Sequence, residues 1–140
     1  MRVLLDTDVV LDVMLARLPF AQTAAQLLDL ADKGLFEAYI SSITPINIFY
    51  VARKAKSIGD LKQALSRLLK AVRVCAIDHS MLTSGLSLPF TDYEDAVQHA
   101  AATASQLDAI VTRNLKDYKN ATLPIFSPTD FLNQLVPPQN

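Results

Sequence analysis

One cysteine, three glycines, two glutamates and no long apolar run mark this 140-residue chain, and each shortage excludes something. A lone cysteine cannot close an internal disulfide. Cys75 is therefore read as a buried core thiol, which suits a reducing compartment. Gly34, Gly59 and Gly85 are scattered, and none stands beside the acidic run at 92–95, so that run is no glycine-bearing acidic loop. No stretch approaches the roughly 18 to 20 apolar residues of a membrane span, and the apolar run at 3–5 is far too short for a signal peptide. A soluble, cytoplasmic protein without a membrane partner is expected. Glutamate is scarce against twelve aspartates, so most negative charge sits on short side chains that favour helix starts and loop edges. Such carboxylates also make rigid metal ligands.

Positive charge is not in excess, because the net charge of −1 argues against a general electrostatic grip on nucleic acid. Its distribution is uneven. Seven of the thirteen basic residues (Arg53, Lys54, Lys56, Lys62, Arg67, Lys70 and Arg73) fall in one stretch that holds a single acid, Asp60. That stretch either steers a polyanion or forms a solvated helix face.

Hydrophobic residues make up 51% of the chain, enough for one sizeable core, and a single domain is expected over residues 1–136 with a short polar tail at 137–140. Five stretches read as strands: 2–5, 36–40, 72–77, 109–112 and 123–126. The third lacks alternation and is expected to be buried on both faces. A first helix follows Asp6 and runs to about Arg17, ahead of Pro19. The next spans 20–33 and closes on Gly34. Thr44 is expected to cap a third helix, with Pro45 at its first position, reaching about Lys56. Asp60 is expected to cap a fourth to about Ala71, and Asp78 a fifth to about Leu86. Thr91 or Asp92 starts an alanine-rich helix through Gln106, and a last helix spans 128–135. Strands separated by helices predict a three-layer α/β/α fold with a central parallel sheet of about five strands.

In such a sheet ligands bind beyond the carboxyl ends of the strands, which is where the aspartates fall. Asp6 ends the first strand. Asp8 follows it, Glu94 and Asp95 open the alanine-rich helix, and Asp117 follows the fourth strand. Several carboxylates in a small volume repel one another unless a cation joins them, and all-oxygen ligands suit Mg2+ or Mn2+. Such ions activate water and stabilise charge on a phosphodiester. Each acid also has a plainer reading, with Asp6 as a helix cap, Asp95 at the positive end of a helix dipole and Asp117 starting a short helix. His99, four residues after Asp95, has a spacing that metals use, yet reads more simply as a buried histidine. Arg113 is the candidate for gripping a phosphate, and Ser42 and Thr112 for bonding substrate or a carboxylate.

The run Val3-Leu4-Leu5-Asp6-Thr7-Asp8-Val9-Val10-Leu11-Asp12 leads an ordered set of segments. Ile40-Ser41-Ser42-Ile43-Thr44-Pro45-Ile46-Asn47-Ile48, Asp92-Tyr93-Glu94-Asp95-Ala96 and Ile110-Val111-Thr112-Arg113-Asn114-Leu115-Lys116-Asp117-Tyr118 follow it. In order and spacing the whole set resembles the PIN-domain ribonucleases, among them the VapC-type toxins of toxin–antitoxin pairs. The resemblance implies a five-stranded parallel sheet, a homodimer, a possible antitoxin protein, and hydrolysis of single-stranded or structured RNA. It implies that Asp6, Asp95 and Asp117 are catalytic and gather Mg2+ or Mn2+, while the placement of Asp8 and Glu94 at the same sheet edge makes them further candidate metal ligands. Asn47, Thr112, Arg113, Asn114 and Ser42 are then the substrate-side or supporting residues. Asn47 stands where many members carry a glutamate, and Asp8 where the family often has asparagine, so Asp8 or Glu94 is expected to compensate in part for the missing acid. Two other readings remain. One is a catalytically weakened module of this type that only binds RNA or protein. The other is a haloacid-dehalogenase-type phosphatase, which Asp6-Thr7-Asp8-Val9-Val10 resembles, although no cap domain fits within 140 residues.

Overall fold

The computed structural model describes residues 1–139, and Asn140, the last residue of the expected polar tail, lies outside the described residues. Strand β1 (Arg2–Leu5) is the centre of a parallel sheet that also holds β2 (Glu37–Ser41), β3 (Arg73–Cys75), β4 (Ala109–Val111) and β5 (Ile125–Phe126). The spatial order is β3-β2-β1-β4-β5. Leu4 lies opposite Tyr39 on one side and Ile110 on the other. The chain builds outward from β1 to β3, then returns to add β4 on the opposite flank. That reversal opens a crevice between the ends of β1 and β4.

Around the sheet run α1 (Thr7–Met14), α2 (Ala21–Asp32), α3 (Thr44–Ala52), α4 (Ile58–Ala71), α5 (His79–Gly85), α6 (Tyr93–Ala104) and α7 (Pro128–Leu135), plus a 3-10 turn at Leu115–Tyr118. The two faces of each central strand feed different cores. Val3, Leu5, Ala38, Ile40, Ala109 and Val111 pack with apolar side chains of α1 to α4 and α7. Leu4, Tyr39 and Ile110 pack with Ala101 and Ala102 of α6, with Met81 of α5 and with Tyr118. Both faces being covered explains why these strands read as unbroken apolar runs, and makes the architecture three-layered as expected. Full burial of one such Leu, Ile or Val contributes about 1.5 to 3 kcal/mol. The alanines of α6 let its backbone come close to the sheet.

Several expectations need correction. Strand β3 is three residues long and forms the sheet edge, where Arg73 and Val74 are exposed, so it is not buried on both faces. Its apolar run reflects one buried face plus the flanking Val72. Thr44 does not cap α3: it is the first helical residue, and its hydroxyl meets Thr7 at 2.9 Å. Ser57 rather than Asp60 caps α4, its Oγ accepting the Asp60 amide at 3.1 Å. Helix α1 stops at Met14, short of Arg17, because Ala16 turns the chain at φ 50°. Gly34 does close α2, at φ 83°, a conformation in which a side chain is strained. Among the described residues no helix is long and apolar enough to cross a membrane.

Phe131 of α7 is fully buried, edge-on to Phe36 at 5.0 Å between ring centroids and 5.7 Å from Phe126. Phe131→Ala is expected to lower stability by about 3 to 5 kcal/mol in urea unfolding. A loss no larger than that of a surface substitution would remove α7 from the core.

Candidate functional site

Asp6 stands at the crevice as the N-cap of α1, directly after β1. Its backbone amide donates to Val111 O at 2.9 Å, which stitches the end of β1 to β4. Its carboxylate is buried yet accepts three hydrogen bonds. The Thr7 amide reaches Oδ1 at 2.7 Å, Gln98 Nε2 reaches Oδ1 at 2.8 Å, and the Thr112 hydroxyl reaches Oδ2 at 2.8 Å. Capping and site duty are thus the same geometry, because the strand end that presents the carboxylate is also the helix start. Burial is the largest influence on this group and raises its pKa, while the bonds from Gln98, Thr112 and Thr7 oppose that rise.

A cavity of about 240 Å3 opens beside it, lined by Asp6, Thr7, Asp8, Asn47, Asp92, Glu94, Asp95 and Asn114 among others. Helix α1 supplies Asp8, α3 supplies Asn47, and the first turn of α6 supplies Glu94 and Asp95. Asp92 caps α6 by accepting the Asp95 amide at 3.1 Å. Glu94 Oε1 accepts from the Thr7 hydroxyl at 3.2 Å, and an Asn47 side-chain bond further favours its charged form. Even so, burial and the Asp6 charge raise its pKa. Asp95 is pushed up to about 8 by burial, then by Asp6 and Asp92, against a 3.2 Å hydrogen bond from Tyr118. Asp8 is pushed up to about 7, first by burial and next by Asp6. Neither Asp8 oxygen has a hydrogen-bond partner.

The remaining expected residues fall differently. Asp117 lies in the 3-10 turn and does not line the cavity, although its charge reaches Asp95 and raises its pKa. Thr112 bonds a carboxylate, one of the two roles expected of it. Ser42 does neither within this cavity, since its Oγ accepts the Ile77 amide at 3.1 Å beyond the end of β3. Arg113 hydrogen-bonds Asp12 and none of the cavity acids, with Nε at 2.7 Å and Nη2 at 3.1 Å from its two oxygens, although its charge reaches Asp8. His99 faces away from the acids: its Nε2 accepts the Thr122 amide at 3.0 Å, its ring packs on Phe90, and burial lowers its pKa. Lys56 and Arg67 of the basic stretch line a separate groove of about 490 Å3 among α1, α2 and α4, which holds none of the expected site residues.

Two contributors escaped the sequence. Gln98, fully buried, joins Asp6 to the Ser41 and Thr44 hydroxyls, which reach its Oε1 at 3.3 and 3.4 Å. A glutamine three residues after Asp95 on an alanine-rich helix was the available signal. Tyr118 is buried beside Asp6 and Asp95, and its pKa is raised, chiefly by burial, so it stays a neutral donor. A tyrosine in a short turn carries no comparable signal, because it reads as core.

The donor set fits a hard divalent cation. Five acids line one cavity, burial and neighbouring carboxylates raise the pKa values of Asp6, Asp8, Glu94 and Asp95, and Asp8 has two oxygens without a partner. Yet among the described residues no three His, Cys, Asp or Glu side chains are already gathered closely enough to hold a metal ion. The two observations are compatible, since Mg2+ takes one or two carboxylates directly and fills its other positions with water and substrate phosphate.

A family model described as a PIN domain matches residues 2–116. Solved structures share the fold. VapBC2 from Rickettsia felis, bound to a DNA fragment from their promoter, is similar at TM-score 0.71 and 18% identity over 91% of this chain and 98% of that one. A toxin-antitoxin complex from Klebsiella pneumoniae is similar at 0.67 and 24%, over 90% and 97%. VapC20 from Mycobacterium tuberculosis, a Sarcin-Ricin loop cleaving toxin, is similar at 0.61 and 16%, over 77% and 86%. At these identities the likeness is one of fold. No curated protein sequence matches the chain.

The raised carboxyl pKa values set the pH dependence. Folding favours protonated Asp8 and Asp95, so their stabilisation is present in full below the ordinary value of 3.8 and is lost as pH rises through about 7 and about 8. In chelator, the melting temperature is expected to fall between about pH 4 and about pH 8, and Mn2+ to restore more of it at the alkaline end. Asp8→Asn should flatten that fall and weaken Mn2+ binding measured by calorimetry. Unchanged affinity in that variant would remove Asp8 from the metal set.

Proposed function

This chain belongs to the PIN-domain family, and from that premise we propose that it is a metal-dependent endoribonuclease of VapC type, hydrolysing phosphodiester bonds of single-stranded or structured RNA. The observation that carries the reading is the cavity at the β1/β4 crevice, where Asp6, Asp8, Glu94 and Asp95 meet and Asp8 is left unpartnered. We take the domain to extend over residues 1–136. Asp6 and Asp95 are the principal ligands in this proposal, with Asp8 and Glu94 beside them and Asp117 acting through its charge on Asp95. Mg2+ or Mn2+, when bound, supplies an activated water and a counter-charge for the phosphodiester. Gln98, Thr7 and Thr112 hold the Asp6 carboxylate in place, and Tyr118 holds that of Asp95. Asn47 and Asn114 offer amide groups to the substrate at the cavity wall.

Partners follow from the same reading. Similar structures include toxin-antitoxin complexes, so an antitoxin protein is proposed, and a gene for a small DNA-binding protein next to this one is the observation to seek. A homodimer is proposed as well, with exposed Ile46 and Tyr50 of α3 and Leu86 beyond α5 as available apolar surface. Cytoplasmic location accords with the lone buried Cys75.

Purified protein incubated with single-stranded RNA and Mn2+ is expected to cleave it, and Asp6→Asn to abolish the cleavage. Equal background in both proteins would leave a module that binds without cutting, the reading favoured by Asn47 and by the absence of a pre-gathered trio of acids among the described residues. Turnover of p-nitrophenyl phosphate without RNA cleavage would instead point to a phosphatase.

The basic stretch is proposed to guide RNA. Changing Lys56, Lys62, Arg67 and Lys70 to Ala should weaken RNA binding and flatten its salt dependence, by about 0.7 in log–log slope for each phosphate no longer neutralised. Unchanged affinity and slope would assign these residues to solubility alone.

A further inference from the structure

Asp12 lies on α1 six residues after Asp6 and is completely buried. A carboxylate in that position is tolerated only when paired, and Arg113 pairs it through two parallel hydrogen bonds at 2.7 and 3.1 Å. Arg17 adds a looser contact at 3.8 Å. The guanidinium of Arg113 also covers the Phe20 ring, 4.0 Å from its centroid. Arg113 is therefore held by Asp12 of α1 and by an aromatic ring, with about a quarter of its side chain still exposed.

Its chain neighbours give this pairing its meaning. Thr112 donates to Asp6 Oδ2 at 2.8 Å and accepts the Asn114 amide at 3.0 Å, while Asn114 lines the acidic cavity. Three consecutive residues leaving β4 are thus tied, two of them directly to α1. At 1.5 Å per residue the two anchors, Asp6 and Asp12, lie about 9 Å apart along the helix. One anchor would leave the segment free to swing about it. Two fix its position and its tilt, and with them the direction of the Thr112 hydroxyl.

We propose that Asp12 and Arg113 form a positioning clasp that holds the segment after β4 in register with α1, so that Thr112 addresses the Asp6 carboxylate and Asn114 faces the acidic cavity, and that Arg113 does not bind substrate phosphate. Swinging the guanidinium round to a phosphate at the cavity acids would break both bonds to Asp12 and strand a buried charge. The catalytic part of the inference rests on the nuclease reading, whereas the structural part does not.

The test compares Arg113→Ala, Asp12→Asn, the double variant and Arg113→Lys. Amide hydrogen exchange at Asn114 is expected to speed up about tenfold or more in either single variant, while the amide of Ile110 keeps its protection. Mn2+ affinity, measured by calorimetry, should fall about 10- to 100-fold in each, and the double variant should be no worse than the singles. With RNA, kcat should fall while KM stays unchanged, and Arg113→Lys, which keeps the charge without the paired geometry, should rescue only in part. A raised KM in Arg113→Ala with a normal Asp12→Asn would overturn the clasp in favour of a phosphate ligand. Unchanged Asn114 exchange in both single variants would overturn it outright. Should Arg113→Ala not fold, Arg113→Lys and Asp12→Asn decide by the same exchange readout. If the wild type cuts no RNA, the nuclease reading fails while Asn114 exchange still decides the clasp.

Discussion

The buried carboxylate of Asp6 is the constraint around which the site is arranged. An acid at the end of the central strand is costly in a protein interior, and the fold meets that cost with three donors drawn from three separate elements. Those donors bring their elements with them. Gln98 fixes α6 over the strand ends, Thr112 fixes the exit of β4, and Thr7 couples the start of α1 to α3 through Thr44. The sheet order makes this possible, because β1 and β4 are neighbours although more than a hundred residues separate Leu5 from Val111.

Around this anchor the acids work against stability. Asp8, Glu94 and Asp95 all sit where burial and neighbouring charge disfavour ionisation, and Asp8 receives no hydrogen bond in return. Two apolar cores on either side of the sheet outweigh that repulsion and hold the groups in place. Such strain concentrated at one cavity is the usual sign of a site shaped for something other than stability.

Much of the fold was legible because its signals are local. The five strands and the helices between them follow from apolar runs, from proline and glycine, and from polar caps such as Asp78. The errors came where a local signal has two meanings. The run at 72–77 reads as an interior strand, but edge or centre is decided by what lies alongside. Thr44 reads as a cap until Thr7 is seen to claim its hydroxyl. The acids of the cavity were legible because each stands at a strand end or helix start, where topology gathers them. Asp12 was not, since nothing in an apolar helix face reveals that Arg113, a hundred residues on, will reach it. Gln98 and Tyr118 likewise act through distant partners.

The margins of the sheet carry a consequence for self-association. Strand β3 is three residues long and begins with Arg73, and β5 at the far margin is two residues long. Each outer strand leaves few free amide and carbonyl groups, too few to template a strand from another molecule. The sheet margins therefore offer no seam for another copy, and the parallel sheet ends within its own chain.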